Sequence, residues 1–337
     1  MTLRAGIVGF GAIGAVHQRA IEACDGIELV AVATRRPLIP GVACFSTLES
    51  MLSTAEFDVL VICTPSGLHA GQAMEGLQSG RHVVIEKPLT LDVDRGAAVV
   101  DEARKRGLTV AVISQRRFEP ATIAIERVIR SGAAGRPLWA EVLIRWQRDR
   151  SYYAAGGWRG TLDLDGGVLM NQAIHAIDLV RWFLGPVSAA SATQATLTHE
   201  IATGDAAAGW LTFANGALAV VLATTAAPHG QPAEINLWFE RGQIALRDDS
   251  IATWTVPVPA PISEGDERGS GSQRPDGITF AGHLAQWRDI VNSIERGAPS
   301  QVPGEEGLST AAVIVALQES AIRGHRVHPR FQGIDGS

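Results

Sequence analysis

Basic residues are outnumbered in this chain of 337 residues: 29 lysines and arginines face 35 aspartates and glutamates, a formal charge of −6. That balance offers no cationic surface for nucleic acid, so no polyanion partner is expected. No apolar run approaches the ~20 residues needed to cross a bilayer, so no membrane role is expected. Cysteine is scarce and odd in number, with Cys24, Cys44 and Cys63 forming no C-x-x-C pair. Cys63 closes an apolar run and reads as a small core residue. The histidines His69, His175 and His283 are isolated and lack H-x-x-x-H spacing, so no metal is expected. The chain opens directly on an apolar segment with no charged-then-apolar leader, and a cytoplasmic location is the expectation. Internal repeats and low-complexity domains are also lacking. The apolar fraction, 46%, and the charged fraction, 19%, are those of a globular protein, and the length suffices for two cores.

The first stretch with chemistry in it is the opening one. Ala5 to Val8 is a short apolar strand running into Gly9-Phe10-Gly11-Ala12-Ile13-Gly14, and a helical pattern follows from Ala12 to Cys24. G-x-G-x-x-G between a buried strand and a helix is the dinucleotide-binding arrangement. Gly9 permits the tight turn, Gly11 admits a pyrophosphate to the backbone, and Gly14 lets the helix pack closely. The free amides and positive end of the helix then face the phosphates. The second strand, Glu28 to Thr34, ends at Thr34-Arg35-Arg36 with no acidic residue. An acidic side chain there would bind a ribose 2′-hydroxyl, whereas arginine pairs with a 2′-phosphate, so NADP is favoured over NAD.

Strands and helices alternate beyond this point. Ser46-x-x-Glu49 reads as a capping box opening a short helix, and Asp58 to Cys63 as a strand buried on both faces. Thr64-Pro65-Ser66-Gly67-Leu68-His69 follows at the carboxyl edge, where ligands collect in such sheets. A helix over about 70–79, a strand from His82 to Ile85, a helix ending at Gly107 and a strand from Thr109 to Ile113 complete the pattern. It predicts an N-terminal Rossmann domain, a doubly wound parallel sheet over residues 1–120. Glu86-Lys87-Pro88 closes a central strand, so Lys87 either points at the cofactor crevice or is a surface lysine. Gln115-Arg116-Arg117-Phe118 reads as the crossing into a second domain, where Gln115 reaches the nicotinamide end or the arginines only bind carboxylates on neighbouring helices.

Residues 121–337 read as an α+β domain for substrate and oligomerisation, with an open, mostly antiparallel sheet. Its strands are expected at Trp139 to Arg148, Ser188 to Leu197, Ala206 to Phe213, Ala217 to Thr225, Ile235 to Phe239 and Gln243 to Leu246. Asn215-Gly216 is a hairpin turn. One sheet face would need a partner, so a homodimer or homotetramer is expected. Ser263 to Gly277 reads as an exposed excursion, followed by helices at Phe280 to Arg296 and about Glu305 to Arg323. His283 reads as a surface residue, with a crevice position as the alternative. Trp158-Arg159 beside glycines offers a stacking face and a fork suited to a sugar or its acidic substituent, or else packs on the core. A helix is expected over Val168 to Leu184, with Asn171, His175 and Asp178 on one side. His175 is there either to exchange protons or as a core residue bonded to Asp178.

Together, Gly9-x-Gly11-x-x-Gly14, Thr64-Pro65-Ser66-x-x-His69, Glu86-Lys87-Pro88 and Asp165-Gly166-Gly167 running to His175-x-x-Asp178 resemble the glucose–fructose oxidoreductase, inositol dehydrogenase and rhizopine-catabolism family (Gfo/Idh/MocA). The resemblance spans nearly the whole chain. It implies an NAD(P)-dependent dehydrogenase acting on a hydroxyl of a sugar, cyclic polyol or nucleotide sugar. It assigns Lys87 as catalytic and His175 as acid/base, lays the Thr64-Pro65 loop, His69 and Glu86 along the cofactor, and implies a cis Lys87–Pro88 bond. Two departures stand out. Asp165 replaces a glycine, read as a small loop change, and Asn171 replaces the aspartate of inositol dehydrogenase-like members. Asn171 cannot take a proton but can orient substrate by hydrogen bonding. A cofactor-binding regulator and a glycosidase with transient oxidation are the alternatives.

Overall fold

The computed structural model describes residues 2–35, 40–155, 157–261 and 280–331. Contacts divide the chain into two compact units, Met1–Gln115 with Ile278–Leu308, and Arg116–Gly277 with Ser309–Ser337. The expected single boundary near residue 120 is thus refined. The segment Ile278–Leu308, counted with the second domain on sequence grounds, belongs with the first.

The first unit is built on strands β1 (Leu3–Val8), β2 (Ile27–Ala33), β3 (Ala43–Phe45), β4 (Val59–Ile62), β5 (His82–Ile85) and β6 (Val110–Val112). They form a parallel six-stranded sheet in the order β3-β2-β1-β4-β5-β6. Helices α1 (Ala12–Glu22), α2 (Leu48–Thr54), α3 (His69–Gln78) and α4 (Val93–Arg106) connect them. All four residues of β4 are buried, as a strand covered on both faces requires. Asp92 caps α4 by accepting from the N–H groups of Asp94 and Arg95, and Gly107 ends it in the left-handed region at φ 63°. The capping box of α2 lies one residue beyond the expected Ser46–Glu49 pair. Thr47 Oγ1 accepts from Ser50 N at 3.1 Å, and Ser50 Oγ accepts from Thr47 N at 3.4 Å. A short serine at the third position completes the reciprocal pair that glutamate more often makes. The β3 strand escapes sequence reading because three residues carry no usable alternation.

The second unit opens with α5 (Pro120–Arg130), whose first-turn proline suits a position with no intrahelical N–H bond to make. Then come β7 (Pro137–Arg145), α6 (Arg150–Ala154), α7 (Ile174–Leu184), β8 (Val187–Ala195), β9 (Ala206–Phe213), β10 (Leu218–Thr224), β11 (Glu234–Phe239), β12 (Gly242–Arg247) and β13 (Ser250–Trp254). The seven-stranded sheet runs β13-β12-β11-β7-β10-β9-β8, antiparallel except where β7 lies parallel to β10. Asn215-Gly216 turns β9 into β10, with Gly216 at φ 85° and Asn215 Oδ1 accepting from Ala217 N at 3.0 Å. On β7, Ala140, Val142 and Ile144 are buried while their neighbours line the other face; α7 packs on this strand.

Two further helices, α8 (Ala281–Arg296) and α9 (Gly304–Arg323), follow. The α8 helix joins the first unit because Trp287, Ile290 and Val291 share a core with Ala20 and Ile21 of α1 and with Ile7 and Val61 of the sheet. No helix among the described residues is long and apolar enough to cross a membrane. The excursion expected over Ser263 to Gly277 lies outside the described residues.

The second unit also contains a buried ion pair, in which Arg117 Nε and Nη2 donate to Asp178 Oδ2 and Oδ1 at 2.8 and 2.6 Å. Thr310 adds a hydroxyl to Oδ1 at 2.7 Å. Asp178 is therefore bonded to Arg117 and Thr310. Burial alone would raise its carboxyl pKa, but the Arg117 and Arg181 charges and these hydrogen bonds hold it far below the usual range. The stabilisation is complete above the ordinary carboxylate pKa and fades as pH falls through the depressed one. Asp178→Ala strands a buried guanidinium and is expected to cost about 3–5 kcal/mol at neutral pH, read by urea denaturation. A variant within 1 kcal/mol of the parent (by that same ~3–5 kcal/mol scale) would show the pair to be neutral.

Candidate active site

Gly9 follows β1 at φ 87°, its N–H donates to Ala33 O at 3.0 Å, and a Cβ there would lie 2.7 Å from the Cys63 carbonyl. Only glycine meets both demands. Gly14 is equally constrained, since its Cβ would fall 2.7 Å from the Gly9 carbonyl oxygen and 3.3 Å from the Phe10 ring. It therefore packs on the turn itself. Gly11 differs: a Cβ built on it meets no protein atom within 4 Å. Gly11 is also the N-cap of α1, with no side-chain cap and no acidic residue in the first turn. The Ala12, Ile13 and Gly14 amides thus begin a helix whose positive end has open space beside it, as a pyrophosphate requires. The protein fits the dinucleotide. At the end of β2, Thr34 donates its N–H to Phe45 O at 2.8 Å and Arg35 is exposed, whereas Arg36 lies outside the described residues.

The loops after β4 and β5 are tied together by His69. Its Nδ1 faces Pro88 O at 2.7 Å and its Nε2 faces Thr64 O at 2.8 Å. Burial depresses its pKa against the pull of the two carbonyls. The ring is a strut between the Thr64-Pro65 loop and the Lys87–Pro88 turn, whose peptide bond is cis as the resemblance implies. Thr64 Oγ1 donates to Gln72 at 2.6 Å. Lys87 is half-buried and Pro88 buried. The Oε1 atom of Gln115 is buried with no hydrogen-bond donor from the protein, consistent with an amide donor arriving from a ligand.

Glu86 is buried, and Oε2 accepts the backbone N–H of Lys87 at 3.1 Å. Oε1 lies 3.0 Å from His17 Nε2 and 3.5 Å from His283 Nε2. Burial raises the Glu86 pKa, but the imidazole hydrogen bonds outweigh it and hold the carboxyl well below its ordinary value. His17 and Trp287 were not candidates on sequence grounds, although a histidine on the buried face of α1 is a visible anomaly. His283, expected at the surface, is 1% exposed. The α8 helix that carries it packs into the first core, which no local pattern reports.

In the second unit the expected helix over Val168 to Leu184 begins differently. Leu169–Ala173 form a π turn and the α-helix starts at Ile174. The wider turn takes Asn171 off the ideal row with His175. Asn171 Nδ2 donates to Asp165 Oδ1, and Asp165 Oδ2 accepts the Gly160 N–H at 2.9 Å. Asp165 is thus more than a loop change, for it places a buried carboxylate against the asparagine. Gln172, next in the turn, accepts from Arg148 Nη2 at 3.2 Å and donates to the Tyr152 hydroxyl at 2.8 Å. The Arg148 and Arg159 guanidiniums lie 5.3 and 4.6 Å from the Tyr152 ring centroid, and Arg159 also stands 4.7 Å from that of Trp158. Arg159 Nη1 donates to Ala155 O at 2.9 Å, and its Nε is buried without an acceptor. Burial lowers the Arg148 pKa, and the Arg159 charge adds to that effect. His175, half-buried, lies in the first turn of α7. The candidate residues are therefore divided between the two units.

Residues 3–114 match a family model described as an NAD-binding Rossmann-fold oxidoreductase family, and residues 122–245 match the GFO/IDH/MocA C-terminal domain. A WlbA dehydrogenase from Bordetella pertussis, solved with NADH and UDP-GlcNAcA, is 30% identical with a TM-score of 0.88, over 98% of this chain and all of that one. An inositol 2-dehydrogenase from Rhizobium meliloti is 28% identical over 96% of this chain and 97% of its own. A scyllo-inositol 2-dehydrogenase (NADP(+)) from Bacillus subtilis is 26% identical over 95% and 94%.

The glycines make a paired test. Gly9→Ala forces a side chain into the Cys63 carbonyl and is expected to lower Tm. Gly11→Ala is expected to leave Tm unchanged while weakening dinucleotide binding by about tenfold or more, measured by titration calorimetry. Equal Tm losses in both variants would mean that Gly11 serves the fold alone.

Proposed function

The chain belongs to the Gfo/Idh/MocA oxidoreductase family, and we propose that this NAD-binding oxidoreductase acts on a secondary hydroxyl of a carboxylate-bearing sugar. The observation that carries the substrate class is the Arg148–Tyr152–Arg159 group, tied by Gln172 and Asp165 to the turn holding Asn171. Two guanidiniums on one tyrosine ring suit an anionic substituent, because arginine forks bind carboxylates in a bidentate manner. UDP-GlcNAcA in the Bordetella complex represents this class of ligand, and it supports an acidic nucleotide sugar over a neutral inositol.

The residue roles follow from the chemistry. His175 takes the hydroxyl proton as general base. Lys87 supplies an ammonium to the oxygen as it becomes an alkoxide, an electrostatic contribution of about 3–4 kcal/mol. Asn171, held by Asp165, orients the hydroxyl, and Trp158 offers a face to the sugar ring. When bound, the nicotinamide supplies the acceptor for the hydride that leaves carbon as the carbonyl forms. The glycine turn holds the pyrophosphate, and Arg35 and Arg36, with no acid at the end of β2, favour NADP over NAD.

Kinetics with a panel of acidic and neutral nucleotide sugars and inositols, each run with NADP and NAD, test this reading. Lys87→Ala and His175→Asn are each expected to lower kcat by about 10²–10⁴ with cofactor affinity nearly unchanged. Arg159→Leu is expected to raise KM about tenfold for the acidic sugars and little for neutral ones. Full turnover in Lys87→Ala, or a sugar released with no reduced cofactor accumulating, would refute the dehydrogenase assignment. Equal KM changes for acidic and neutral substrates would refute the acid.

The sheet supports a homo-oligomer. Trp210, Leu218 and Leu222, 63%, 43% and 36% exposed, lie on one face of β9 and β10, with Trp139 and Leu143 beside them on β7. A second copy of this chain would cover that face. Trp210→Glu is expected to shift sedimentation from dimer or tetramer to monomer, and a monomeric parent protein would remove the proposal.

A further inference from the structure

The buried group behind Lys87 has a direction built into it. Indole N–H can only donate, and Trp287 Nε1 lies 3.0 Å from His17 Nδ1. That nitrogen must therefore be the acceptor of the ring, which leaves the ring proton on Nε2, 3.0 Å from Glu86 Oε1. Glu86 accepts this proton's hydrogen bond through one oxygen and the Lys87 backbone N–H through the other. Trp287 and His17 are 0% exposed and Glu86 is 7% exposed, so water does not substitute for any of these donors. His283 completes the surroundings, its ring edge-on to His17 with centroids 5.4 Å apart.

We propose that His17 and Trp287 are positioning residues for Lys87, acting through Glu86 as a chain of one-way hydrogen bonds. The chain holds a neutral imidazole against an ionised carboxylate, and the carboxylate fixes the backbone from which the Lys87 side chain springs. Burial lowers the His17 pKa against the raising influence of Glu86, in keeping with a neutral ring. A second proton on Nδ1 would point at the indole N–H, so Trp287 also guards against protonation.

The same three side chains, His17, Glu86 and His283, have ligand atoms within 4.8 Å of one another, a spacing that could suit a metal ion. Trp287 argues against that use. A metal on His17 Nε2 would move the ring proton to Nδ1, where it would meet the indole N–H, whereas metal-bound histidines donate from the second nitrogen to an acceptor.

The proposal rests on the assignment of Lys87 to catalysis, and the test separates the two. The first measurement is histidine ¹⁵N NMR of the protein without substrate. His17 is expected to show a protonated Nε2 and a bare Nδ1 from pH 5 to 9, and to begin titrating in Trp287→Phe. A His17 that titrates in the parent, or carries its proton on Nδ1, overturns the chain. The second measurement compares His17→Gln, whose amide can both donate to Glu86 and accept from Trp287, with His17→Leu, which can do neither. His17→Leu is expected to lower kcat about tenfold with little change in cofactor KM, and His17→Gln to recover most of it. Equal kcat in a folded His17→Leu, with Lys87→Ala inactive, overturns the positioning role alone. Stoichiometric binding of zinc or manganese that requires His17 would replace the chain with a metal site.

Discussion

A carboxylate removed from water must be met by donors, and this requirement organises both halves of the molecule. At the end of β5, Glu86 stays ionised in the interior because His17 and the Lys87 N–H face its two oxygens. Those donors come from the first helix and from the turn beyond the strand, so satisfying the charge also fixes the turn. Trp287, brought in by α8, orients the imidazole that does so. The packing of Ile278–Leu308 with the first unit thus has an electrostatic role as well as an apolar one.

The second unit uses the same device at Asp178 and at Asp165. Asp178 anchors Arg117 and Thr310, joining residues from the start of the unit, its central helix and its last segment. Asp165 gathers Gly160 and Asn171, so the loop bearing Trp158 and Arg159 is attached to the π turn. Arg148 and Arg159 lie against the Tyr152 ring, and Arg148 donates to Gln172.

The candidate residues of the two units are held in different ways. The glycine turn offers helix amides and open space to a pyrophosphate, while the loops after β4 and β5 are braced by His69 so that Lys87 leaves a rigid support. The π turn, by contrast, carries Asn171 and Gln172, which bond to Asp165 and Tyr152. Within that turn, Asn171 donates to the Asp165 carboxylate.

Much of the fold was legible locally. His82–Ile85 and Ala206–Phe213 stand where the apolar pattern and Asn-Gly place them, because these signals act over a few residues. The glycine turn was readable for the same reason, since backbone sterics are written in the glycines themselves. The partners of the buried carboxylates were not readable. His17 lies 69 residues from Glu86, and Trp287 lies 270 from His17. Pairing across such distances is settled only when sheets and helices pack, since burial is what makes an unmet charge costly enough to choose its donors. Sequence alone therefore determined most of the elements and the cofactor turn. Tertiary structure decided which helix closed the first core, which carboxylate faced Asn171 and which proton His17 carries, because each depends on groups that meet only after the chain has folded.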